Sequence, residues 1–456
     1  MKSLIETEQP SRPTTHRRSR SVPVGGPLTA SVLAVSLLGV GCTLSNESSG
    51  GPDGIDRELT LPGPTVESFS LWLTPGDNLL AALVQIDEAD TDRISARDNW
   101  LLGLAYSELG AYASAALGYQ PNGQPYGIET MQCEDSTLPD AVEVICDALM
   151  GETQRIAFID DIPHFAQHRV LGRRILQCAR DAGFEFLAVD ALAEDGAALV
   201  ARGYVSRTQS GLFLREPQFA GLVEDALGLG FTPVSFPVPD TCGSSCTPVE
   251  AFSQSSEQRA DLLLAQTLDI DPEAKLLVWS GPGQAFKQPW GNSMPFIESL
   301  AYHVYDKTGF EPFSVVQTTV APDTDLGPAV ASGIQLAIGP VNGSCAGSYS
   351  PRSATGLPVL NAVAFHVPPR TEGASSDVER WQWLHTPEAE RMSVTAECAA
   401  CAPDEKLLVQ AFPAGIDISD RVARDQAICA AGVPCQLSLP AGDYQLVIWN
   451  ETAELT

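Results

Sequence analysis

Positive charge is what this sequence has least of: 27 Lys and Arg stand against 57 Asp and Glu in 456 residues, a formal net charge of −30. Such an excess of carboxylates repels phosphate backbones and anionic lipid surfaces, which excludes nucleic acid as a partner. The sequence also lacks an apolar run of the roughly 18 to 20 residues that would cross a bilayer core, since the stretch Leu28 to Val40 is shorter than that. Repeats are nearly absent. Leu102 to Tyr119 has the Leu-Gly, Tyr, Gly-x-Tyr and Ala spacing of one tetratricopeptide unit, but a single unit cannot bury its own face. An ordinary helical hairpin packed on the next domain is expected there, not a peptide-binding solenoid. Histidine is scarce as well, with six in the chain, so two close together stand out.

What is present begins with an export pattern. A basic run, His16 to Ser21, precedes the apolar stretch, the order of a secretory signal. Gly39-Val40-Gly41-Cys42 resembles a bacterial lipobox, although Gly39 stands where Leu is usual. The resemblance implies cleavage before Cys42, acylation of that cysteine, and membrane lipid as a partner held through it. The location implied is the bacterial cell envelope, facing the periplasm or the exterior. Removing residues 1–41 takes away five basic and two acidic side chains, leaving 22 against 55. Arg17 and Arg18 leave both the Sec and the twin-arginine export routes open.

Ten cysteines remain after Cys42, an even number in an exported chain, so disulfides are the default reading. Zinc ligation by Cys398, Cys401, Cys429 and Cys435 is the weaker alternative on spacing, and Cys178, on an apolar helix face, also reads as a buried thiol.

Composition divides the chain into a signal peptide (1–41), a Gly/Pro-rich flexible tether (42–64), a helical segment (65–150), an α/β domain (151–320), a linker (321–356) and a β-sandwich (357–456). The α/β assignment rests on near-continuous apolar strands at 155–160, 184–190, 232–237, 275–280 and 312–320. They alternate with helices near 164–181, 217–230, 257–268 and 294–308. That alternation predicts a mainly parallel sheet with helices on both faces. From about residue 357, short β-type runs between Gly/Pro turns predict a small antiparallel sandwich, its last two strands joined tightly through Leu439 to Tyr444.

Asp160 and Asp161 end the first strand of that domain, at the sheet edge where ligands enter open α/β folds. His164 and His168 follow four residues apart at the start of the next helix, a separation also used to hold a metal or a water. With Asp161 orienting it, His168 is the candidate general base. Asp190, ending the neighbouring strand, is a second carboxylate, and Arg169 is a candidate holder of an anionic group. The plainer alternative is that Asp161 caps the helix, Pro163 fills its first turn, and the histidines are half-exposed polar residues. Gly281, Gly283 and Gln284 in "WSGPGQ" are candidate binding residues, because glycines after a parallel strand let backbone NH groups approach an anion.

"GSCAG" (343–347) mimics a nucleophile elbow but is followed by no helix pattern. Cys242-Gly-Ser-Ser-Cys246 reads as a loop staple, while His303, His366 and His385 read as packing or surface residues. Trp381 and Trp383, two apart, read as sandwich core.

The series "FIDDIPHFAQHR", "AGFEFLAVDAL", "ARGYVSRT", "LGFTPVSF", "DPEAKLLVWSGPGQA" and "TGFEPFSVVQTT" resembles, over residues 138 to 320, a bacterial family of erythromycin-esterase-like and ChaN-like proteins. Relatives carry Asn-Glu-Ala-His-His where this chain has Asp160 to His164, keep Gln-His-Arg at 167–169, and place Glu at 190 and Gly-x-Gly-His at 281–284. Two glutamates have thus become aspartates, one histidine is Pro163 and another is Gln284. The resemblance implies a hydrolase of small-molecule esters using His168, His164, Asp160, Asp161 and Asp190. Its alternative is a non-catalytic protein that binds a small-molecule ligand, haem-like in some relatives, or interacts with the envelope through a degenerate site. No cofactor follows with certainty; haem and a divalent metal at the histidine pair are the options.

Overall fold

The computed structural model describes residues 96–118, 131–133, 140–237, 246–290, 296–319, 336–338, 345–347, 361–366, 389–395 and 405–450. The signal peptide, Cys42, the tether, Cys242, Cys398, Cys401, Trp381, Trp383 and His385 lie outside the described residues.

A helical pair opens the described chain, α1 (Ala96–Glu108) and α2 (Tyr112–Gly118), followed by β1 (Met131–Cys133) and α3 (Ala141–Leu149). The α/β body then runs β2 (Ile156–Asp160), α4 (Ala166–Asp181), β3 (Phe184–Val189), α5 (Gly196–Arg202), α6 (Pro217–Gly228), β4 (Thr232–Ser235), α7 (Pro248–Gln266), β5 (Lys275–Ser280), α8 (Leu300–Thr308) and β6 (Phe313–Thr319). After it come β7 (Leu336–Ile338), β8 (Cys345–Gly347), β9 (Ala362–His366), β10 (Ala389–Thr395), β11 (Lys406–Pro413), β12 (Asp425–Ala430), β13 (Pro434–Pro440) and β14 (Tyr444–Trp449).

Seven strands form the central sheet in the order β4-β3-β5-β2-β6-β9-β7, all pairs parallel except β7 with β9. Side chains alternate across it, as the two-residue period of a strand requires. Ala157, Ile159, Leu187, Leu277, Trp279, Val315 and Ala364 join one apolar cluster with α3, α4 and α6. Ile156, Phe158, Ala188, Leu276, Val278 and Val316 join another with α7 and α8. The fold class is therefore the expected one, an α/β layer structure with a helical stretch before it and small antiparallel sheets after it.

The sheet extends past the boundary expected at residue 320. β9 lies parallel beside β6, with Val315 opposite Ala362 and Thr319 opposite His366, and β7 closes that edge. "VLNAVAFHV" carries an alternating pattern that both sheet types share, so the pattern does not say which sheet it joins. "GSCAG" is no elbow, since Cys345–Gly347 is a strand antiparallel to β1.

α7 begins well before the expected 257, at a capping box in which Thr247 and Glu250 satisfy each other's backbone NH groups. Glu216 caps α6 through the NH groups of Gln218 and Phe219 and accepts a hydrogen bond from Tyr112, pinning α2 to the body as the hairpin reading expects.

At the C-terminus β10 pairs with β13, while β12, β11 and β14 form a second antiparallel sheet. Val394, Leu407, Val409, Cys429 and Leu437 from both sheets share one core. The Leu439–Tyr444 turn carries the chain from one sheet to the other and does not join two paired strands. A disulfide, Cys429–Cys435, ties β12 to β13. Cys178 is no free thiol either: it bonds Cys146, stapling α4 to α3. Cys246 is also disulfide-bonded. Arg424 reaches Glu224 and Asp225 on α6, and Asp420 accepts from Ser206 and Thr208, so the sandwich is docked on the α/β body.

Candidate functional site

β2 is bracketed by β5 and β6, and Asp160 at its end stands in register with Ser280. Asp160 Oδ1 accepts the backbone NH of Gln317 at 2.6 Å, and its carbonyl accepts Gln317 Nε2 at 2.6 Å. Burial pushes the Asp160 carboxyl well above its usual range, against hydrogen bonds from the backbone of Gln317 and Gly283, with Asp161 adding to the rise. Asp161 sits on the loop beyond the strand, its NH on the Ser280 carbonyl. Its Oδ2 lies 2.8 Å from the Arg169 guanidinium. Burial raises Asp161 to about 6, and Arg169 and Trp279 hold it from going higher.

The helix expected to carry both histidines begins only at Ala166, after Phe165, whose side chain makes no cap. Asp161 therefore does not cap it. His164 precedes the helix and turns away: its Nε2 lies 2.9 Å from the Trp100 carbonyl of α1, its ring is edge-on to Trp100, and burial lowers its pKa to about 3. The glycine of the repeat-like motif, Gly103, is explained by this contact, because a Cβ there would meet His164 Cδ2 at 2.4 Å.

His168 is fully buried, and its Nδ1 accepts the backbone NH of Ile162 at 3.1 Å. Since an amide NH only donates, the lone pair is on Nδ1 and the proton on Nε2. Asp161 Oδ1 lies 3.5 Å from that same Nδ1 and meets no proton there. Burial, then the nearby Arg169, lowers the pKa of His168 well below that of a free imidazole. The Asp–His base arrangement expected from sequence is thus not formed. Arg169 is no open anion site: it is buried, donates to the Pro163 carbonyl, pairs with Asp161 and lies over the Phe219 ring.

Asp190 belongs to a different cluster. It continues the alternation of Ala188 towards the α7 face, where its Oδ2 accepts from Arg259 at 2.9 Å and from the Gly281 NH at 2.6 Å. His168 covers the opposite face from α4, which is why the two do not meet. The backbone NH groups of the "WSGPGQ" turn are taken up by the protein's own carboxyl groups: the Gly281 NH binds Asp190 and the Gly283 backbone binds Asp160. Gly283 has φ +79°, a conformation glycine adopts without strain. Gln284 points away from the site and takes hydrogen bonds from Ser256 and the Leu300 NH, linking α7 to α8.

Two residues that looked ordinary in sequence complete the cluster. Gln317 on β6 and His366 on β9 lie on the α4 face, in step with Val315, Ala362 and Ala364. The His366 ring is 4.7 Å from that of His168, tilted by 37°. Its Nε2 is 2.9 Å from Gln317 Oε1. Burial, then His168, keeps His366 well below its usual pKa. The expected site therefore divides in three, with His164 held against α1, Asp190 held against α7, and Asp160, Asp161, Arg169 and His168 joined by Gln317 and His366. Among the described residues no group of three or more His, Cys, Asp or Glu side chains is placed to hold a metal ion. Nor is any helix of the described residues long and apolar enough to cross a membrane.

No protein-family model matches the chain, and no curated protein matches it. Solved structures with a likeness include the type III effector HopBA1, at 13% identity and TM-score 0.27 over 41% of this chain and 86% of that one. Another is RRSP, a MARTX toxin effector domain from Vibrio vulnificus CMCP6, at 12% and 0.27 over 49% and 44%. A third is the C-terminal region of Pasteurella multocida toxin, at 11% and 0.29 over 76% and 54%. This chain spans about half the length of the last two. Likeness at this level assigns no activity.

Proposed function

We propose that this chain is an exported, lipid-anchored protein of the bacterial cell envelope whose α/β domain binds a small-molecule ligand and does not hydrolyse it. The observation that carries the reading is the hydrogen bond from the Ile162 NH to His168 Nδ1. It occupies the nitrogen that a carboxylate-oriented base would present to Asp161, and it leaves His168 a neutral hydrogen-bond donor. Each of the other candidate groups has a partner within the protein: Asp161 for Arg169, Arg259 and Gly281 for Asp190, Trp100 for His164. The departures from the esterase-like pattern at 161, 163, 190 and 284 agree with lost turnover: two remove a histidine, and the other two shorten a carboxylate by one methylene, which displaces its oxygens by ~1 Å or more. Haem ligation by His168 is disfavoured, because the Ile162 NH takes its Nδ1 lone pair and leaves Nε2 protonated.

The test is turnover of a panel of esters and lactones by the purified protein and by His168→Ala. Neither should hydrolyse any of them; hydrolysis by the parent that disappears in the variant would overturn the reading. The anchor rests on Leu28 to Cys42, and Cys42→Ala should move the protein from the detergent to the aqueous phase on Triton X-114 partition.

A further inference from the structure

We propose that His168 and His366 form the binding point for one uncharged group that donates and accepts a hydrogen bond at once, in its simplest form a hydroxyl. This deepens the ligand-binding reading above and rests on it. The Asp160 carbonyl can only accept, so Gln317 Nε2 faces it and Gln317 Oε1 is turned to His366. That oxygen must receive the proton on His366 Nε2, which leaves His366 Nδ1 as a bare lone pair. His168, fixed by the Ile162 NH, keeps its proton on Nε2. Two rings 4.7 Å apart therefore offer a donor, His168 Nε2–H, and an acceptor, His366 Nδ1. Both atoms are buried and neither has a hydrogen-bond partner within the described protein.

Buried polar atoms of this kind demand partners. An anion offers only acceptors and would face the His366 lone pair; an ammonium offers only donors and would face the His168 N–H. A metal ion bridging the pair would need a lone pair on His168 Nε2, and the Ile162 hydrogen bond places that lone pair on Nδ1. The charges beside the pair cancel, since Arg169 is matched by Asp161. A hydroxyl satisfies both rings without ionising either. Gln317 is the positioning residue, because it sets which His366 nitrogen stays open.

Nitrogen-15 NMR on the intact chain labelled at histidine tests this directly. Both rings should be neutral at pH about 7, with the proton on Nε2 in each. Methanol should shift His168 Nε2 and His366 Nδ1 saturably, while acetate and methylammonium leave them unmoved. Gln317→Leu should weaken the methanol response about tenfold. A proton on Nδ1 of either ring, a response to a charged probe, or no saturable response to methanol would overturn the proposal. Should Gln317→Leu not fold, the parent's tautomers and probe selectivity decide alone. Ester turnover would sink the non-hydrolytic reading and leave these tautomers untouched; a wrong tautomer would sink this inference without creating turnover.

Discussion

Replacing Asp161 by Asn should change how stability depends on pH, by an amount the site itself supplies. Burial lifts this carboxyl from 3.8 to about 6 in the folded protein. Below pH about 4 it is protonated in folded and unfolded chains alike, and the folded state has its full advantage. As pH rises, the unfolded chain ionises first and the folded chain resists, so stability falls until pH passes about 6. A shift of roughly two units, at about 1.4 kcal/mol each, makes the loss about 3 kcal/mol. Asn cannot ionise. The stability of the parent relative to Asp161→Asn should therefore drop by about 3 kcal/mol between pH about 4 and about 7, then level off. Asp160 adds to the drop with the same sign, because ionised Asp161 raises its pKa further. Urea denaturation of both proteins, disulfides intact, across that range measures the difference. A flat difference would mean that the carboxyl is not perturbed, and a rising one that Arg169 outweighs burial. Either refutes the electrostatics drawn for the cluster.

Gly172 on α4 lies against the ring of Trp279, and an added Cβ would sit 2.7 Å from it. Gly172→Ala should cost about 1–3 kcal/mol through overpacking, measured as a lower Tm, whereas an unchanged Tm would show that α4 can retreat from the sheet. The Cys146–Cys178 bridge closes a separation of 32 residues. Cys146→Ser with Cys178→Ser should therefore lose about 3–4 kcal/mol in urea denaturation, and no loss would mean that the α3 to α4 packing alone confines the unfolded chain.

The parallel sheet was legible because β2, β3 and β5 are short apolar runs cut off by polar residues, and hydrophobic patterning reports that directly. The C-terminal sandwich was legible for the same reason. Patterning reports the face a side chain takes and not the neighbour its strand acquires, so the β9 sequence reads as part of the sandwich although the strand joins the central sheet. His366 then looked solitary, since its partner His168 lies far away in sequence. Because both follow strand ends, the sequence places Asp190 beside Asp161. Its turn to the opposite face, and its partner Arg259 on α7, depend on three-dimensional packing. The split of the histidines had a local cue in Pro163, which favours extended backbone at the residue before it and so delays the helix.

The placement of β9 has a practical consequence. A fragment trimmed at the end of β6 would retain every residue of the esterase-like resemblance, yet it would leave the NH and carbonyl groups of β6 open along one edge, a template for aggregation. It would also carry His168 without the imidazole opposite it. Expression boundaries for this body belong after residue 366, and for a body still held by Arg424 they belong at the end of the sandwich.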